Sequence, residues 1–328
     1  MIFSDMKSPP DNSLRSDLKT FGVGLCMGAA DIVPGVSGGT VALILGVYRR
    51  LLSAISGANT QTAGALLAGR WGEAAERLDA RFLFALGGGV LVGAGALAGL
   101  MEHLLEHHRA VTYSAFFGLI LASGYLVGRM CSPPSRRAAV VCVVLGLLAA
   151  LFALALVMQQ HVTPPGGMLY LFICGAVAIC AMILPGISGA YLLLMLGLYE
   201  DVTGVIKRLP RGQATGDDLL MLAVFACGCL VGLLLFSRLL RWLLDRYSAP
   251  TLAVLCGFMI GSLYRLWPFQ IDATPDVEEF KHKLFEPYLP GADESQLAVC
   301  VLTALACCAG VLLLDHWAGR LKASQLSD

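Results

Sequence analysis

Two short segments of the chain repeat the same pattern of proline, glycine and serine, PGVSGG at 34–39 and PGISGA at 185–190. Proline lacks a backbone donor and disfavours helix in the residue before it, so each proline is expected to end a helix. The glycines permit a tight turn, for which we expect positive φ at Gly38 and Gly189. Because a helix restarts after each turn, unpaired N–H groups and the positive end of a helix dipole face it. The chemistry predicted from this arrangement is anion binding, with phosphate as the natural ligand.

The predicted phosphate ligands are the backbone and hydroxyl donors of the two turns. A threonine adds a third hydroxyl in the first copy, where the second copy has the larger Tyr191. A structural alternative is that these small residues only let helices pack closely, but the occurrence of the pattern twice in register favours binding. The predicted set is Gly35, Ser37, Gly38, Gly39, Thr40, Gly186, Ser188 and Gly189.

Charged residues near these turns have two interpretations each. Asp31 is the one acidic residue within the two segments, and Met182 takes its place in the second copy. An ionisable group at membrane depth is a functional candidate, so Asp31 either couples proton movement to the site or forms a turn at a helix end. Arginines at the ends of apolar runs either extend to lipid headgroups or line a phosphate path. They are Arg129, Arg238, Arg241 and Arg265.

A histidine-rich segment, MEHLLEHHR, is the only pattern that resembles a metal site. His103 and His107 are spaced i, i+4 and would share one face of a helix. Zinc catalysis needs a third ligand and a neighbouring carboxylate in context, and the sequence has no HExxH motif. We therefore predict neither a metal ion nor a cofactor.

Apolar helices must position these residues. Six runs reach the length of about 18 residues that crosses a hydrocarbon core. They are 82–100, 110–128, 138–158, 219–240, 249–267 and 297–314. Two further apolar regions, 18–56 and 168–199, contain the PG-S-G turns, and the flanks of each turn are short for a full crossing. These two regions are predicted to be re-entrant, broken-helix hairpins.

An internal repeat organises the chain. A shift of 151 residues aligns 30–48 with 181–199, with 10 of 19 positions identical. Each copy is followed by three apolar runs, so the chain divides into repeats at 1–160 and 161–328. A re-entrant hairpin plus three crossings gives each repeat an odd number of crossings, which inverts the second copy. The predicted fold class is an all-α polytopic membrane protein with two inverted repeats in one integral membrane domain.

Charge and composition support this assignment. Hydrophobic residues make up 57% of the chain and charged residues 14%, against about 25% charged in soluble domains. The formal net charge is zero, so there is no global basic field for a nucleic acid. With both termini cytoplasmic, the predicted cytoplasmic segments are 1–20, 49–81, 129–137, 238–248 and the C-terminal tail. They hold 16 of the 23 lysines and arginines, as the positive-inside rule requires. This composition therefore argues against a soluble enzyme, a disordered chain and a nucleic-acid binder.

The segments GAADIVPGVSGGTVALILGVY and MILPGISGAYLLLMLGLY resemble the paired signatures of the bacterial polyprenyl-phosphate transporter family. The resemblance extends from about residue 14 to 320. It implies a flippase that returns undecaprenyl phosphate, the lipid carrier of cell-wall sugars, from the outer to the inner leaflet of the cytoplasmic membrane for reuse. The partners implied are this or a related polyprenyl phosphate and the membrane lipids. A small-residue run at 87–99 permits close helix contact within one chain or in a homo-oligomer.

Two alternatives stand beside transport of a lipid phosphate. Undecaprenyl-pyrophosphate phosphatases also have re-entrant inverted repeats, but they carry a PG-x-S-R-S type motif. Here Gly38 and Gly189 follow the two serines, so the arginine that would stabilise the transferred phosphate is missing. We therefore predict that the protein is not an enzyme. A transporter or channel for a small anion would share the fold and differ in its cargo.

Overall fold

A computed structural model describes residues 13–32, 37–158, 166–273, 285–291 and 296–325. These residues are predominantly helical, with one 3-10 turn at Leu209–Arg211 and a two-stranded antiparallel sheet, β1 (Gln270–Asp272) and β2 (Phe285–Pro287). The α-helices in chain order are α1 (Leu14–Ile32), α2 (Gly38–Ile44), α3 (Tyr48–Ser56), α4 (Thr60–Leu67), α5 (Trp71–Arg77), α6 (Ala80–His107), α7 (Arg109–Met130), α8 (Arg136–Met158), α9 (Met168–Ile183), α10 (Gly189–Met195), α11 (Tyr199–Arg208), α12 (Gly216–Arg246), α13 (Ser248–Ser262) and α14 (Leu297–Gln325).

Among the described residues, five helices are long and apolar enough to cross a membrane, namely α6, α7, α8, α12 and α14. They contain five of the six predicted spans, which are therefore confirmed as helices of spanning length. On α8 the large side chains of Val143, Leu147 and Leu151 are exposed at the protein surface. A helix of this length whose uncovered face is also apolar is stable against lipid and not against water. The chain is a multi-pass membrane protein.

The sixth predicted span, 249–267, is wrong in its length. Helix α13 ends at Ser262, after 15 residues, which corresponds to about 22 Å. The chain continues in tighter i→i+3 turns, in which Arg265 N–H donates to the Ser262 carbonyl and Trp267 N–H to the Tyr264 carbonyl. Pro268 follows and cannot extend a helix. This early end places Arg265 in a turn instead of within a regular helix.

Both apolar regions with a PG-S-G turn are broken helices, α1–α2–α3 and α9–α10–α11. The axes of α2 and α3 differ by 114°. Gly46 and Gly197, 151 residues apart, end α2 and α10 with φ of 77° and 71°. In both copies the last helical carbonyls are capped in the same way, with Val47 N–H donating to Ala42 and Leu198 N–H to Leu193. The breaks are therefore local features of the sequence, while a re-entrant course through the membrane stays a prediction.

The long helices of the two halves pair in corresponding ways. Helix α1 packs on α6 and α9 packs on α12, while α7 packs on α14 and α13 on α8. Glycines permit the closest of these contacts, because a Cβ at Gly24 or Gly89 would overlap backbone atoms of the partner helix, as would one at Gly228. Gly89 lies in the small-residue run 87–99, so part of that run serves contact within the chain. The hydrophobic core lies along the broken helices, where Tyr48 is almost fully buried.

Candidate functional site

At the first break, the chain itself satisfies the N–H groups that open α2. The predicted residue Gly35 and the neighbouring Pro34 lie outside the described residues. Ser37 is the N-cap of α2, and its Oγ accepts from Gly39 N–H at 3.2 Å. A carboxylate oxygen of Asp31 accepts from Gly38 N–H at 2.6 Å. The turn-forming interpretation of Asp31 therefore describes what this side chain does in the structure.

The second break has the same cap without the carboxylate. Ser188 is the N-cap of α10, and its Oγ accepts from Tyr191 N–H at 3.4 Å. Met182, at the place of Asp31, has no polar group to offer a helix end. Within the described part of the chain, the N–H groups of Ser188 and Gly189 have no hydrogen-bond partner. The two copies thus differ in the number of open donors.

The two breaks contact each other through buried hydrogen bonds. Ser37 Oγ lies 3.4 Å from the carbonyl oxygens of Met182 and Leu184, at the C-terminal end of α9. Tyr48 donates its hydroxyl to the Ile183 carbonyl at 2.9 Å. These carbonyls belong to the last turn of a helix, where no intrahelical donor is available. In the opposite direction, Gly186 N–H donates to Thr40 Oγ1 at 2.9 Å. Ser37 and Thr40 therefore join the halves, and phosphate binding by their hydroxyls stays a prediction.

The glycines of the breaks are required by close approach more than by backbone conformation. Positive φ is found at Gly186, with φ of 87°, and the expectation of positive φ at Gly38 and Gly189 was wrong. These two residues instead begin helices, where φ is negative. A Cβ at Gly39 would lie 2.7 Å from the Ile183 carbonyl oxygen, and one at Gly189 would lie 2.6 Å from the Ala178 carbonyl oxygen. Larger residues would separate backbones that are in contact.

A small cavity borders the second break. Ser188, Tyr191 and Arg265 line it, together with apolar residues of α8. The guanidinium carbon of Arg265 lies 5.0 Å from the centre of the Tyr191 ring, and Tyr191 donates its hydroxyl to the Val157 carbonyl at 3.0 Å. The volume is about 20 Å³, close to that of a single water site. From the sequence, Arg265 was predicted only as one of four arginines at span ends. Tyr191 was not in the predicted set, although the repeat aligns Tyr191 with Thr40.

An apolar groove lies beside helices α8 and α13. Its volume is about 590 Å³, within the range of small-molecule pockets. Its walls also include residues from α7 and from the segment after β2. Apolar side chains dominate the lining, including Phe117, Leu147, Leu151, Leu154, Trp267 and Leu289. The small cavity at the second break and the apolar groove thus both border α8.

No metal centre is built from the described residues. No group of three or more histidine, cysteine, aspartate or glutamate side chains there has the geometry to hold an ion. The rings of His103 and His107 stack with their centres 4.3 Å apart. The Nδ1 atom of His107 lies 3.1 Å from the carbonyl oxygen of His103. These histidines are engaged with each other and with their own helix.

Comparison with known proteins places this chain in a family. The chain is 38% identical over 253 residues to a polyprenyl-phosphate transporter of Vibrio cholerae serotype O1, covering 77% of this chain and 78% of that protein. It is 32% identical over 254 residues to a polyprenyl-phosphate transporter of Staphylococcus aureus, covering 75% of this chain and 84% of that protein. No solved structure matches. The undecaprenyl phosphate translocase-like family matches residues 27–283. This range contains both breaks and the small cavity at the second break. The chain therefore belongs to that family.

Proposed function

We propose that this protein moves a polyprenyl phosphate from the outer to the inner leaflet of the bacterial cytoplasmic membrane, so that the carrier lipid can be reused. The observation that carries the proposal is the cavity of Ser188, Tyr191 and Arg265 at a helix break, beside a large apolar groove. The Arg265 guanidinium and the hydroxyl groups of Ser188 and Tyr191 can bind the phosphate. The apolar groove can hold the prenyl chain. The names of the two relatives describe the same cargo.

The second break is the more favourable place for the phosphate. The Arg265 guanidinium offers a planar set of donors that matches phosphate oxygens. The N–H groups of Ser188 and Gly189 have no partner among the described residues. At the first break the carboxylate of Asp31 already occupies the N–H of Gly38. A phosphate there would replace one anion by another, whereas at the second break it meets open donors.

The prenyl chain can stay in hydrocarbon while the phosphate crosses. Leu147 and Leu151 line the groove and are also exposed at the protein surface, so the groove is open toward the lipid. An unpaired charge at the bilayer centre costs at least about 3 kcal/mol. Donors at the break would offset this cost by replacing the water around the phosphate. A small anion has no use for such a groove, which favours a lipid over the small-anion alternative.

Transport requires the two halves to move relative to each other. A cavity of about 20 Å³ does not admit a phosphate group, so we assign the structure to a closed conformation. The bonds from Ser37, Thr40 and Tyr48 to the second break hold the halves together. In many secondary transporters inverted repeats rock against each other around a central site. Opening by this motion would release Ser37 and Thr40 to bind the phosphate, as their sequence predicts.

Hydrolysis is not part of the proposed function. Gly38 and Gly189 stand where the phosphatase motif has its arginine. Arg265 approaches Ser188 from another element, and we propose that it holds the phosphate group without cleaving it. The proposed orientation, with both termini cytoplasmic, follows from the charge distribution of the sequence.

A reconstituted assay tests transport against hydrolysis. Purified protein is placed in liposomes with a headgroup-accessible fluorescent polyprenyl phosphate, and leaflet exchange and released phosphate are measured together. We expect protein-dependent exchange without phosphate release. Release of phosphate would overturn the proposal in favour of an enzyme. Absence of both, with a protein that remains folded, would favour a soluble anion as cargo.

Asp31 gives a prediction about coupling. Asp31→Asn keeps an oxygen that accepts from Gly38 N–H but removes the titratable charge, so the fold is expected to persist. If Asp31 couples protons, an imposed pH gradient no longer changes the exchange rate in this variant. Asp31→Ala removes the acceptor as well and is expected to destabilise the protein by about 1–2 kcal/mol. An unaltered response of Asp31→Asn to the gradient leaves Asp31 with the turn-forming role alone.

The groove gives a prediction about the prenyl chain. Leu151→Trp adds bulk to the groove wall and is expected to lower exchange of a long polyprenyl phosphate several-fold, with less effect on a short one. Leu148 is exposed on the same helix but is not part of the wall, so Leu148→Trp is the matched control. The measurement compares exchange of long and short fluorescent lipids by each variant. Equal behaviour of the two variants would remove the groove from the lipid path.

A further inference from the structure

A second concave site lies away from the breaks, where the C-terminal turns of α12 approach the end of α3. Its volume is about 480 Å³. Arg238, Arg241 and Arg246 form its walls with Trp242, Ser56 and Asn59. An adjoining cavity of about 170 Å³ is lined by Arg49 and shares Arg241 and Asp245 with the first. We call Arg49, Arg238, Arg241 and Arg246 together the arginine pocket.

The arginine pocket carries an excess of positive charge. Asp245 is the one acidic residue among the described residues that line the two cavities. Its ion pairs are long, at 3.9 Å to Arg49 and 3.8 Å to Arg241. One carboxylate and four guanidinium groups therefore line the two cavities. A concave surface with one sign of charge concentrates counter-ions of the other sign, so the pocket is suited to an anion.

Neutral acceptors hold these arginines in position. Arg241 donates to Ser56 Oγ at 2.9 Å, and Arg238 donates to the Ala58 carbonyl. Each guanidinium has five N–H donors, so both retain donors for a ligand. The side chain of Arg246 makes no hydrogen bond or ion pair with any residue in the described part of the chain. Its placement at the cavity wall therefore adds charge without serving the packing of α3 on α12.

Two aromatic residues place the pocket at the membrane surface. Trp242 lies on its wall with about half of its surface exposed (54%), and its ring meets that of Tyr247 edge-on with centres 5.6 Å apart. Tryptophan and tyrosine at the end of a span favour the headgroup layer. Helix α12 is a membrane span that ends here. The segments that form the pocket, 49–81 and 238–248, were both predicted to be cytoplasmic from their charge.

We propose that the arginine pocket binds the phosphate monoester of a prenyl lipid in the cytoplasmic headgroup layer, as a second phosphate site separate from the one at the second break. The choice of this lipid rests on the proposed function. Helix α3 begins at Tyr48, which bonds to the second break, and runs about 13 Å to Ser56 at the pocket. A phosphate that leaves the breaks toward the cytoplasmic leaflet would therefore reach the arginine pocket.

Native mass spectrometry of the full chain in detergent with geranylgeranyl phosphate tests this site. We expect two bound lipids per chain in the wild type and one in Arg238→Gln/Arg241→Gln. The matched control is Arg136→Gln/Arg137→Gln, which removes two exposed arginines at the start of α8 and is expected to keep both lipids. Arg246→Gln is expected to weaken the second binding about tenfold, since it removes charge-assisted bonds, without lowering the unfolding temperature.

The outcomes separate this inference from the proposed function. If the double variant keeps both lipids while Arg265→Gln loses one, the arginine pocket is not a site and the transport proposal stands. If the double variant loses one lipid but the wild type shows no leaflet exchange, the pocket stands and the proposed transport fails. A second arm replaces the lipid with inorganic phosphate. Displacement of the pocket-bound lipid by millimolar inorganic phosphate would identify free phosphate as the ligand and overturn the lipid assignment.

Discussion

Arg265→Gln is expected to lower leaflet exchange of a polyprenyl phosphate by about 10- to 100-fold, because hydrogen bonds to charged groups contribute about 1.5–3 kcal/mol. Glutamine retains a polar end but has no charge and no planar fork. The backbone carbonyl of Arg265, which accepts from Gln270 at 2.9 Å, is kept. Within the described residues, the side-chain contact that the substitution removes is the one with the Tyr191 ring. We therefore expect the loss to appear in exchange and not in folding.

Arg129→Gln is the matched control for this substitution. Arg129 lies at the end of the spanning helix α7 and, like Arg265, over a tyrosine ring, with its guanidinium carbon 5.9 Å from the centre of Tyr125. It does not border the cavity at the second break. Exchange by Arg129→Gln should equal that of the wild type, and Arg265→Lys should fall between. Equal exchange by Arg265→Gln and Arg129→Gln would remove the second break from the path of the phosphate.

Gly39→Val is expected to separate the two breaks and abolish exchange. A Cβ at Gly39 would lie 2.7 Å from the Ile183 carbonyl oxygen and 3.1 Å from that of Met182. These are backbone atoms at the end of α9 and cannot move without shifting the helix. Overpacking of this kind typically costs about 1–3 kcal/mol. Gly38→Val should be milder, because its Cβ would meet the carboxylate of Asp31, a side-chain end that can turn aside.

A glycine in open space separates this effect from the general cost of valine in a helix. Gly22 lies in α1 with no atom within 4 Å of a Cβ placed there, so Gly22→Val is the control. Thermal unfolding in detergent and leaflet exchange are measured for Gly22→Val, Gly38→Val and Gly39→Val. The expected order of damage is Gly39 above Gly38 above Gly22. If Gly39→Val unfolds and exchanges like Gly22→Val, the contact between the breaks has no part in transport.

Hydropathy and spacing were sufficient to predict most of the fold. The positions of α6, α7, α8, α12 and α14 follow from apolar length, since crossing a hydrocarbon core sets a minimum run of residues. The broken helices follow from Pro34, Pro185 and their glycines. The end of α13 was missed because an apolar run does not reveal where i→i+4 bonds give way to i→i+3 turns. Hydropathy does not register that change.

The sequence predicted where the two breaks lie but not how they contact each other. From the sequence, Ser37 and Ser188 were predicted as corresponding phosphate ligands and Thr40 as a third hydroxyl in the first copy. In the structure Ser37 and Thr40 bond across the repeats, while Ser188 borders a cavity with Arg265. Proline, glycine and serine act on their own neighbourhood, so their pattern indicates a break. It does not indicate which element will satisfy the donors and acceptors of that break.

The sequence by itself therefore determined the membrane class, five of the six predicted spans and the two breaks, because hydrophobic length and turn chemistry are properties of neighbouring residues. Only the tertiary structure decided that the carboxylate of Asp31 binds the Gly38 N–H at the first break and that Arg265 lies at the second. It alone brought Arg49 from α3 to Arg241 of α12. These contacts join residues far apart in the chain, and their geometry depends on how whole helices pack. Helix packing is not encoded in any single segment.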